Sequence, residues 1–416
     1  MVRFIIILIF FIGIDLYVFR TFQNQFSGIQ NMFKYAIYTA YWVVPLILVG
    51  SILYLFISNS GEQVRTNRWI SYLVTFFVLF YVPKLFIISF QFIEDLGKIG
   101  AWMVKKVSQS DGSIYAGAEK ISKSVYLGKL GLFIAIIPFI SIIYGVLYGR
   151  FNFKLKEVSI QFEHLPASFN GFRIVQFSDF HSGSLNGQQD IFKKAFDLMN
   201  NQEPDIIVFT GDMVNNTADE VKDWVDLIST LKAKYGKFSI LGNHDYGDYY
   251  RWDNDSAKQN NLELLKYYHK QMDFNLLLND AVKIGKNGDS IALIGVENWG
   301  EKPFPQHGDL EQAMENIKEI PFKILLSHDP SHWEYEVRAK TDIALTLSGH
   351  THGMQLAINI AGYSWSPVSL KYPRWNGLYA DKSQYLYVNL GLGYIGFPGR
   401  VGTNPEITVF SLHKKQ

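Results

Sequence analysis

The chain has 416 residues, a formal net charge of +1 and no cysteine. Single hydrophobic cores rarely grow beyond about 250 to 300 residues, so this length predicts more than one domain. The balance of 39 basic and 38 acidic residues gives no electrostatic signal for a nucleic-acid partner, and we predict none. The lack of cysteine excludes disulfides and thiolate ligands, so any bound metal must take nitrogen and oxygen ligands.

Four long apolar runs lie in the first part of the chain, at residues 4–19, 35–58, 70–93 and 127–149. A helix needs roughly 17 to 25 mostly apolar residues to cross the hydrocarbon core, so three runs qualify and the first is marginal. The first run could be a signal peptide, but no small-x-small cleavage site follows it. We therefore predict a membrane region with four transmembrane helices at residues 1–150. The expected location is the cell membrane.

Two of these runs carry a charged residue, Asp15 in the first and Lys84 in the third. An unpaired charge is costly in hydrocarbon. Both runs would cross the membrane in the same direction and place the two charges at similar depth, so one interpretation is that they pair. The other is that each side chain extends to an interface or lines a polar cavity.

The segment between the third and fourth runs, residues 94–126, is polar and partly amphipathic. We expect it to lie along the membrane surface with its lysines solvated. Basic residues around the four runs are divided almost equally between the two sides. The positive-inside rule therefore leaves both orientations of the chain open.

Residues 151–416 are predicted to form a second, α/β layered domain, because short apolar runs alternate with helical stretches. An edge strand is predicted at 151–162, and core strands at 173–177, 205–209, 238–241, 291–296, 323–326 and 343–347. Helices are predicted at 188–200, 219–234, 257–271 and 310–317. Hairpin-like turns are predicted around 279–280 and 287–288. The tail is predicted to be rich in strands, at 385–389 and 406–412.

Polar side chains follow five of the predicted strands, at the position where ligands collect in open α/β sheets. They are Asp179, His181, Asp212, Asn243, His328, His350 and His352. Two residues that are two positions apart face the same way in an extended segment, which would let each Asp-x-His or His-x-His pair reach one point. Seven ligands are too many for one ion. Two divalent ions roughly 3.5 to 4 Å apart, sharing one carboxylate, would use them all.

The candidate ligands fall in five short sequence blocks: Asp179-Phe180-His181, Gly211-Asp212, Gly242-Asn243-His244-Asp245, His328 and Gly349-His350-Thr351-His352. In sequence and order, these blocks resemble the motifs of the calcineurin-like metallophosphoesterase family. Within the family the chain is similar to the membrane-associated branch that includes UDP-diacylglucosamine pyrophosphatases. That branch commonly has Gly-Gly-Gln after the last histidine, whereas this chain has Gly353-Met354-Gln355. We expect the Met354 side chain at the substrate entrance.

The resemblance implies a four-layer αββα sandwich with a dinuclear site at the strand ends. It implies that one ion is bound by Asp179, His181, Asp212 and His352, and the other by Asp212, Asn243, His328 and His350. Mn, Fe and Zn all suit such ligands. His244 would be the proton donor, with Asp245 holding its tautomer, and the nucleophile would be a hydroxide that bridges the two ions.

The leading hypothesis is a membrane-anchored, metal-dependent phosphoesterase that hydrolyses a phosphodiester or pyrophosphate bond, with a lipid-linked phosphate as one candidate substrate. The alternative is a membrane sensor or transport protein whose phosphoesterase-like domain binds a phosphorylated ligand without turnover. The complete ligand set and His244 favour the enzyme. The four spans favour the alternative, because an anchor needs only one.

Several residues outside these sequence blocks also have an expected role or location. Arg400 is expected either to meet a substrate phosphate or to form a loop salt bridge. Asp329 is expected to orient a ligand rather than to bind metal. Four aromatic residues either face the membrane interface or pack the last β layer: Tyr363, Trp365, Tyr372 and Trp375. Four histidines are expected in loops or at the surface: His164, His269, His307 and His332.

Overall fold

The computed structural model describes residues 2–57, 68–107 and 126–415. The chain divides into two compact units, Met1–Tyr144 and Gly145–Gln416. The helices of the first part are α1 Val2–Gln25, α2 Asn31–Ile57, α3 Arg68–Val107, α4 Tyr126–Ile134 and α5 Ile136–Leu147. The last residues of α5, from Gly145 onwards, belong to the second unit.

Within the described residues, four segments are long and apolar enough to cross a membrane: Ile6–Gln25, Asn31–Ser51, Ile70–Lys106 and Tyr126–Phe151. The fourth contains both α4 and α5, which are separated at Ala135. Pro138 lacks an amide hydrogen and cannot donate to the carbonyl of Ile134, which explains the break. The backbone still continues helically across it, because Ala135 donates to Gly131 at 3.0 Å. The four predicted runs thus correspond to four segments with the length and composition of membrane spans, which supports an integral membrane protein.

Helix α3 runs unbroken for 40 residues to Val107, whereas a change to a surface segment was predicted at residue 94. Polar contacts hold this extension: Lys98 pairs with Glu94 at 2.6 Å, and the amide of Gly128 donates to Glu94 at 2.9 Å. Residues 94–107 therefore extend α3 rather than beginning a separate segment, and their location at the membrane surface stays a prediction. Residues 108–125 of the predicted surface segment lie outside the described part of the chain.

Asp15 and Lys84 form a buried, hydrogen-bonded ion pair between α1 and α3. The hydroxyl of Tyr81 donates to the Asp15 carboxylate at 2.8 Å, and the hydroxyl of Tyr41 donates to the Asp15 carbonyl at 2.7 Å. The Lys84 ammonium also lies 4.4 Å from the centroid of the Tyr81 ring. The pairing interpretation is confirmed, because the two charged groups contact each other directly and both side chains are buried.

The described residues of the second unit form 14 strands: β1 Lys154–Phe162, β2 Phe172–Phe177, β3 Ile206–Thr210, β4 Lys237–Ile240, β5 Asn275–Leu276, β6 Asp280–Lys286, β7 Asp289–Gly295, β8 Lys323–Leu326, β9 Leu345–Ser348, β10 Ile358–Ile360, β11 Tyr363–Trp365, β12 Gly377–Asp381, β13 Gln384–Val388 and β14 Glu406–Lys414. One six-stranded sheet has the order β1-β14-β2-β3-β4-β5, and the other β12-β13-β9-β8-β7-β6. Strands β2 to β5 are parallel, as are β7, β8 and β9. Strands β10 and β11 pair only with each other.

The two sheets pack face to face and are covered on their outer faces by helices and turns. The helices are α6 Gln189–Asn200, α7 Val225–Ser229, α8 Asp255–Gln271 and α9 Leu310–Met314. Side chains alternate between the layers: Ile174 packs in the core between the sheets, and Val175 packs in the core under α6 and α8. A third core lies outside the second sheet. The αββα fold is therefore confirmed.

Some predicted elements differ from the structure. The helix predicted at 219–234 consists of 3₁₀ turns at Ala218–Trp224 followed by the short α7. The Glu220 carboxylate explains the tight turns, because it accepts hydrogen bonds from the amides of residues 215–217. The helix predicted at 310–317 ends at Met314.

Two histidines expected in loops or at the surface are buried. His269 lies one helical turn after Leu265 on the inner face of α8, and its Nδ1 is 3.0 Å from the hydroxyl of Ser239. His332 lies 2.9 Å from the hydroxyl of Ser327 and stacks on the ring of Trp299. Both positions were predicted wrongly, because each histidine has a buried hydroxyl partner that the sequence pattern does not show. His164 and His307 are exposed.

The ion pair in the membrane region gives a first prediction. Asp15→Asn or Lys84→Met leaves the other charge unpaired among apolar helices, so each should lower the unfolding free energy by roughly 2.5 to 3.5 kcal/mol, the scale on which an unpaired charge is penalised at the centre of a span. The double variant should recover much of this loss. The measurement is chemical or thermal unfolding of the full chain in micelles, and simple additivity of the two losses would contradict the pairing.

Candidate dinuclear metal site

The candidate ligands lie at the carboxyl ends of strands from both sheets. Asp179 and His181 follow β2, Asp212 follows β3 and Asn243 follows β4, while His328 follows β8 and His350 and His352 follow β9. Because these strands are parallel within each sheet, their ends meet at one edge of the sandwich. The structure brings all seven side chains together there.

The first group contains Asp179, His181 and His352, whose ligand atoms lie within 4.8 Å of one another. The Nε2 atoms of His181 and His352 are 3.0 Å apart, and His352 Nε2 is 3.2 Å from Asp179 Oδ1. The sequence analysis predicted that Asp179 and His181 reach one point because they lie on an extended segment. They do lie close together, but the segment is not extended. Both residues are left-handed, with φ of 51° and 50°.

The second group contains Asp212, His328 and His350, again with ligand atoms within 4.8 Å of one another. His350 Nδ1 is 3.2 Å from His328 Nε2 and 2.8 Å from the side-chain oxygen of Asn243. Asn243 therefore reaches this group as well.

Asp212 lies between the two groups. Its Oδ2 atom is 3.2 Å from His328 Nε2 in the second group and 3.6 Å from His181 Nε2 in the first. Imidazole nitrogens and carboxylate oxygens that converge in this way are arranged as ligands of cations, and the donor set is the one that Mn, Fe or Zn accepts. The residues therefore fit two divalent ions that share Asp212.

Two glycines allow the loops to approach this closely. A Cβ atom on Gly242 would lie 2.3 Å from Asp212 Oδ1, and a Cβ on Gly349 would lie 2.3 Å from Asp179 Oδ2. Real Cβ atoms do not make contacts this short, so any side chain at either position would displace a candidate ligand.

The histidines are oriented by contacts on the far side of each ring. His328 Nδ1 is 2.7 Å from the carbonyl of Thr210, and His181 Nδ1 is 3.2 Å from the carbonyl of Val214. A carbonyl at Nδ1 favours the tautomer that leaves Nε2 free to bind a metal.

The ring of His350 is oriented the other way round, so that Nδ1 rather than Nε2 faces the other candidate ligands. Its Nε2 is 2.8 Å from the hydroxyl of Tyr372, which donates to Asp329 Oδ2 at 3.3 Å. These contacts agree with the prediction that Asp329 orients a ligand, although His350 itself stays a candidate ligand. The sequence analysis missed the contact of Tyr372 with His350, because Tyr372 was grouped with other aromatic residues on composition alone. It is buried with Trp375, whereas Tyr363 and Trp365 are not.

The charges of Asp212 and His328 depend on each other. Burial opposes ionisation of Asp212, but His328 and His244 beside it hold the pKa of this carboxyl well below its usual range. Burial also opposes protonation of His328, but the Asp212 carboxylate outweighs it and raises the pKa of His328 to about 10. A divalent ion bound between these residues would displace the proton that the raised pKa favours on His328.

His244 lies next to the two groups, with its ring centroid 5.0 Å from that of His181. Its amide donates to Asp212 Oδ1 at 2.9 Å, and its Nδ1 is 2.7 Å from the carbonyl of Asn215. The carbonyl of Asn215, rather than Asp245, therefore sets the orientation of the ring.

Asp245 has a different role from the predicted one. Its buried carboxylate accepts hydrogen bonds from the amides of Asp212, Met213 and Gly242 at 2.9, 2.8 and 2.9 Å, and from Val214 at 3.2 Å. The prediction that Asp245 holds the His244 tautomer is wrong, because these buried amides take up its oxygens. Asp245 instead fixes the backbone that carries Asp212.

Arg400 fits neither of its two predicted roles. Its guanidinium is buried and donates to the carbonyls of Leu390 and Gly391 at 2.7 and 3.1 Å and to that of Gly393. It also lies 3.3 Å from His352 Nδ1. Burial lowers the pKa of Arg400 to about 10. Within the described residues it forms no salt bridge, and it supports the loop behind His352.

Comparison with known proteins agrees with this geometry. The family model described as calcineurin-like phosphoesterase matches residues 172–354, and one described as probable calcineurin-like phosphoesterase, transmembrane domain, matches residues 2–150. The uncharacterized metallophosphoesterase YkuE of Bacillus subtilis is 33% identical over 62% of this chain and 84% of its own length. The chain belongs to the calcineurin-like metallophosphoesterase family.

Two animal relatives are each described as a transmembrane protein with metallophosphoesterase domain. The protein from Danio rerio is 30% identical over 66% of this chain, and the one from Bos taurus is 32% identical over 60%. The matched regions span 60% and 55% of those longer proteins.

The position of Asp212 between the groups gives a second prediction. Asp212→Asn should weaken the binding of both ions together, because one carboxylate serves both groups. Asp179→Asn is the matched control and should weaken one ion more than the other. Metal content by mass spectrometry after gel filtration provides the measurement. Two ions retained at full occupancy in Asp212→Asn would exclude a shared carboxylate.

The contacts of Asp245 give a third prediction. Asp245→Asn should lower the unfolding free energy by about 2 kcal/mol or more, because buried amides lose a charged acceptor. Thermal unfolding of the full chain measures this, with His244→Ala as the comparison. If Asp245→Asn unfolds like the unmodified protein, Asp245 does not support the backbone in this way.

Proposed function

We propose that this protein is a membrane-anchored dinuclear-metal phosphoesterase that hydrolyses a phosphodiester or pyrophosphate bond. The observation that supports this most strongly is the position of Asp212 within reach of both candidate ligand groups, with His244 beside them but in neither. A site built only to hold metal has no use for this additional histidine.

Two divalent ions in these groups would neutralise charge on the phosphoryl oxygens and lower the pKa of a bound water. The protein contributes the arrangement of its side chains. Asp212 and Asp179 concentrate negative charge where cations bind. His350 is held by Tyr372 and Asp329, which keeps its Nδ1 directed at the second group.

In this proposal His244 acts on the substrate. The carbonyl of Asn215 accepts from Nδ1, so a proton on Nε2 makes the ring an imidazolium. Burial lowers the pKa of His244, and an anionic phosphate beside the ring would favour the protonated form again. His244 would then bind a phosphate oxygen and transfer its Nε2 proton to the leaving oxygen.

We include a lipid-linked phosphate as the candidate substrate because only a short connection, which we call the tether, joins the fourth span to the catalytic unit. The fourth span, Tyr126–Phe151, is followed by β1 from Lys154. Arg150 at its end donates to the hydroxyl of Tyr394 at 3.2 Å and to the carbonyl of Pro398 at 3.3 Å. A catalytic unit attached this closely meets substrates that diffuse in the membrane at a raised effective concentration.

The direct test is hydrolysis by the purified full chain of model phosphodiesters, phosphomonoesters and nucleotide-linked lipids, with Mn, Fe or Zn supplied in turn. We expect turnover of a diester or pyrophosphate. Asp212→Asn serves as the inactive control. Binding of a phosphorylated compound without turnover under every metal would instead support a membrane sensor or transport function.

The role of His244 gives a fourth prediction. His244→Ala should slow turnover by roughly 10² to 10⁴-fold, the usual contribution of a positioned proton donor, and should leave both metals bound. Steady-state kinetics and metal analysis of the same preparation test this together. If His244→Ala loses bound metal in proportion to its loss of turnover, His244 is a metal ligand and not a proton donor.

The tether gives a fifth prediction. For the full chain in lipid nanodiscs, kcat/KM should be higher for a long-chain lipid phosphodiester than for its short-chain soluble analogue. In detergent without a bilayer this preference should shrink. An equal kcat/KM for both compounds in nanodiscs would count against a lipid substrate.

A further inference from the structure

A surface of exposed apolar side chains begins two residues after the candidate ligand His352. It consists of Met354, Ile358, Ile360, Tyr363, Trp365 and Leu370, and we call it the hairpin surface. Ile360, Tyr363 and Leu370 are 67%, 69% and 84% exposed. On the two strands, Ile358 lies opposite Trp365 and Ile360 lies opposite Tyr363, so these exposed apolar side chains are neighbours. Exposed apolar patches are typical of interaction sites.

On the side of β10, hydrogen bonds connect the hairpin to the body of the second unit. The amide of Ala357 donates to the carbonyl of Val401 at 2.8 Å, and the side-chain amide of Asn359 donates to the carbonyl of Gly402 at 2.6 Å. Strands β10 and β11 pair only with each other. A two-stranded hairpin is marginally stable in water, so a partner on its apolar face would stabilise it.

The base of the hairpin adjoins the end of the fourth membrane span. The amide of Arg400 donates to the carbonyl of Gly145 at 3.1 Å, one residue before the Val401 carbonyl that binds Ala357. Gly145 lies inside the apolar span Tyr126–Phe151. The approach is close, because a Cβ on Gly145 would lie 2.7 Å from the carbonyl oxygen of Arg400.

We propose that the hairpin surface inserts into the interfacial layer of the lipid bilayer. The span that the hairpin adjoins must itself lie in hydrocarbon, so the bilayer is the apolar phase next to it. Lys371 follows the highly exposed Leu370, an order that lets an apolar side chain enter lipid while an ammonium meets the phosphate layer. Trp365 and Tyr363 are residue types that favour this interface.

The insertion has a consequence for the candidate site. His352 lies two residues before Met354, the first exposed residue of the hairpin surface. Docking of this surface would bring the entrance of the site to the headgroup layer. The inference goes beyond the proposed function, because docking on lipid requires no turnover.

The experiment uses the lack of cysteine, which allows a single label on the full chain. Ile360→Cys is labelled with the polarity-sensitive fluorophore NBD and reconstituted in phosphatidylcholine and phosphatidylglycerol nanodiscs. Tyr267→Cys is the matched control, since Tyr267 is 53% exposed on α8 and outside the hairpin surface. We expect a blue-shifted emission at position 360, and several-fold stronger quenching there than at position 267 by lipids with spin-labelled acyl chains.

Equal emission and equal quenching at the two positions would overturn the proposal. A blue shift at position 360 without quenching by the lipids would also overturn it, because it indicates a protein contact such as a second copy of the chain. Leu370→Cys provides a second position if Ile360→Cys does not fold. The readout needs no substrate, so its failure and a failure of the proposed hydrolysis are separate results.

Discussion

The site depends on the placement of one carboxylate, that of Asp212. Its Oδ2 faces histidines from both candidate metal groups, and its Oδ1 accepts the amide of His244. This position requires that the ends of β2 and β3 in one sheet meet the ends of β8 and β9 in the other. It also requires Asp245 beneath the loop, because without an acceptor the buried amides around Asp212 would be unsatisfied.

The backbone of the site is strained where the ligands are. Asp212 and His350 have φ of 62° and 72°, a left-handed conformation that costs of order 1 to 3 kcal/mol for residues other than glycine. Such a conformation persists only when the surroundings enforce it. Here the cores on both sides of the sheets and the amide contacts of Asp245 provide that enforcement.

Much of this arrangement could be predicted from the sequence. Buried parallel strands are short apolar runs, so β3 and β8 were placed almost to the residue, and the polar residues after them indicated the candidate ligands. The partners of those ligands could not be predicted. A backbone carbonyl such as that of Asn215 has no sequence signal, and Tyr372 meets His350 only through the folded loops. The hairpin β10–β11 was missed because it has no buried face and hence no alternation.

The central claim is that two metal ions share Asp212. Anomalous X-ray diffraction from crystals of the full chain grown with Mn²⁺ tests it most directly. The account predicts two anomalous peaks roughly 3.5 to 4 Å apart, with the carboxylate of Asp212 between them. A single peak, or two peaks of which only one contacts Asp212, would contradict it.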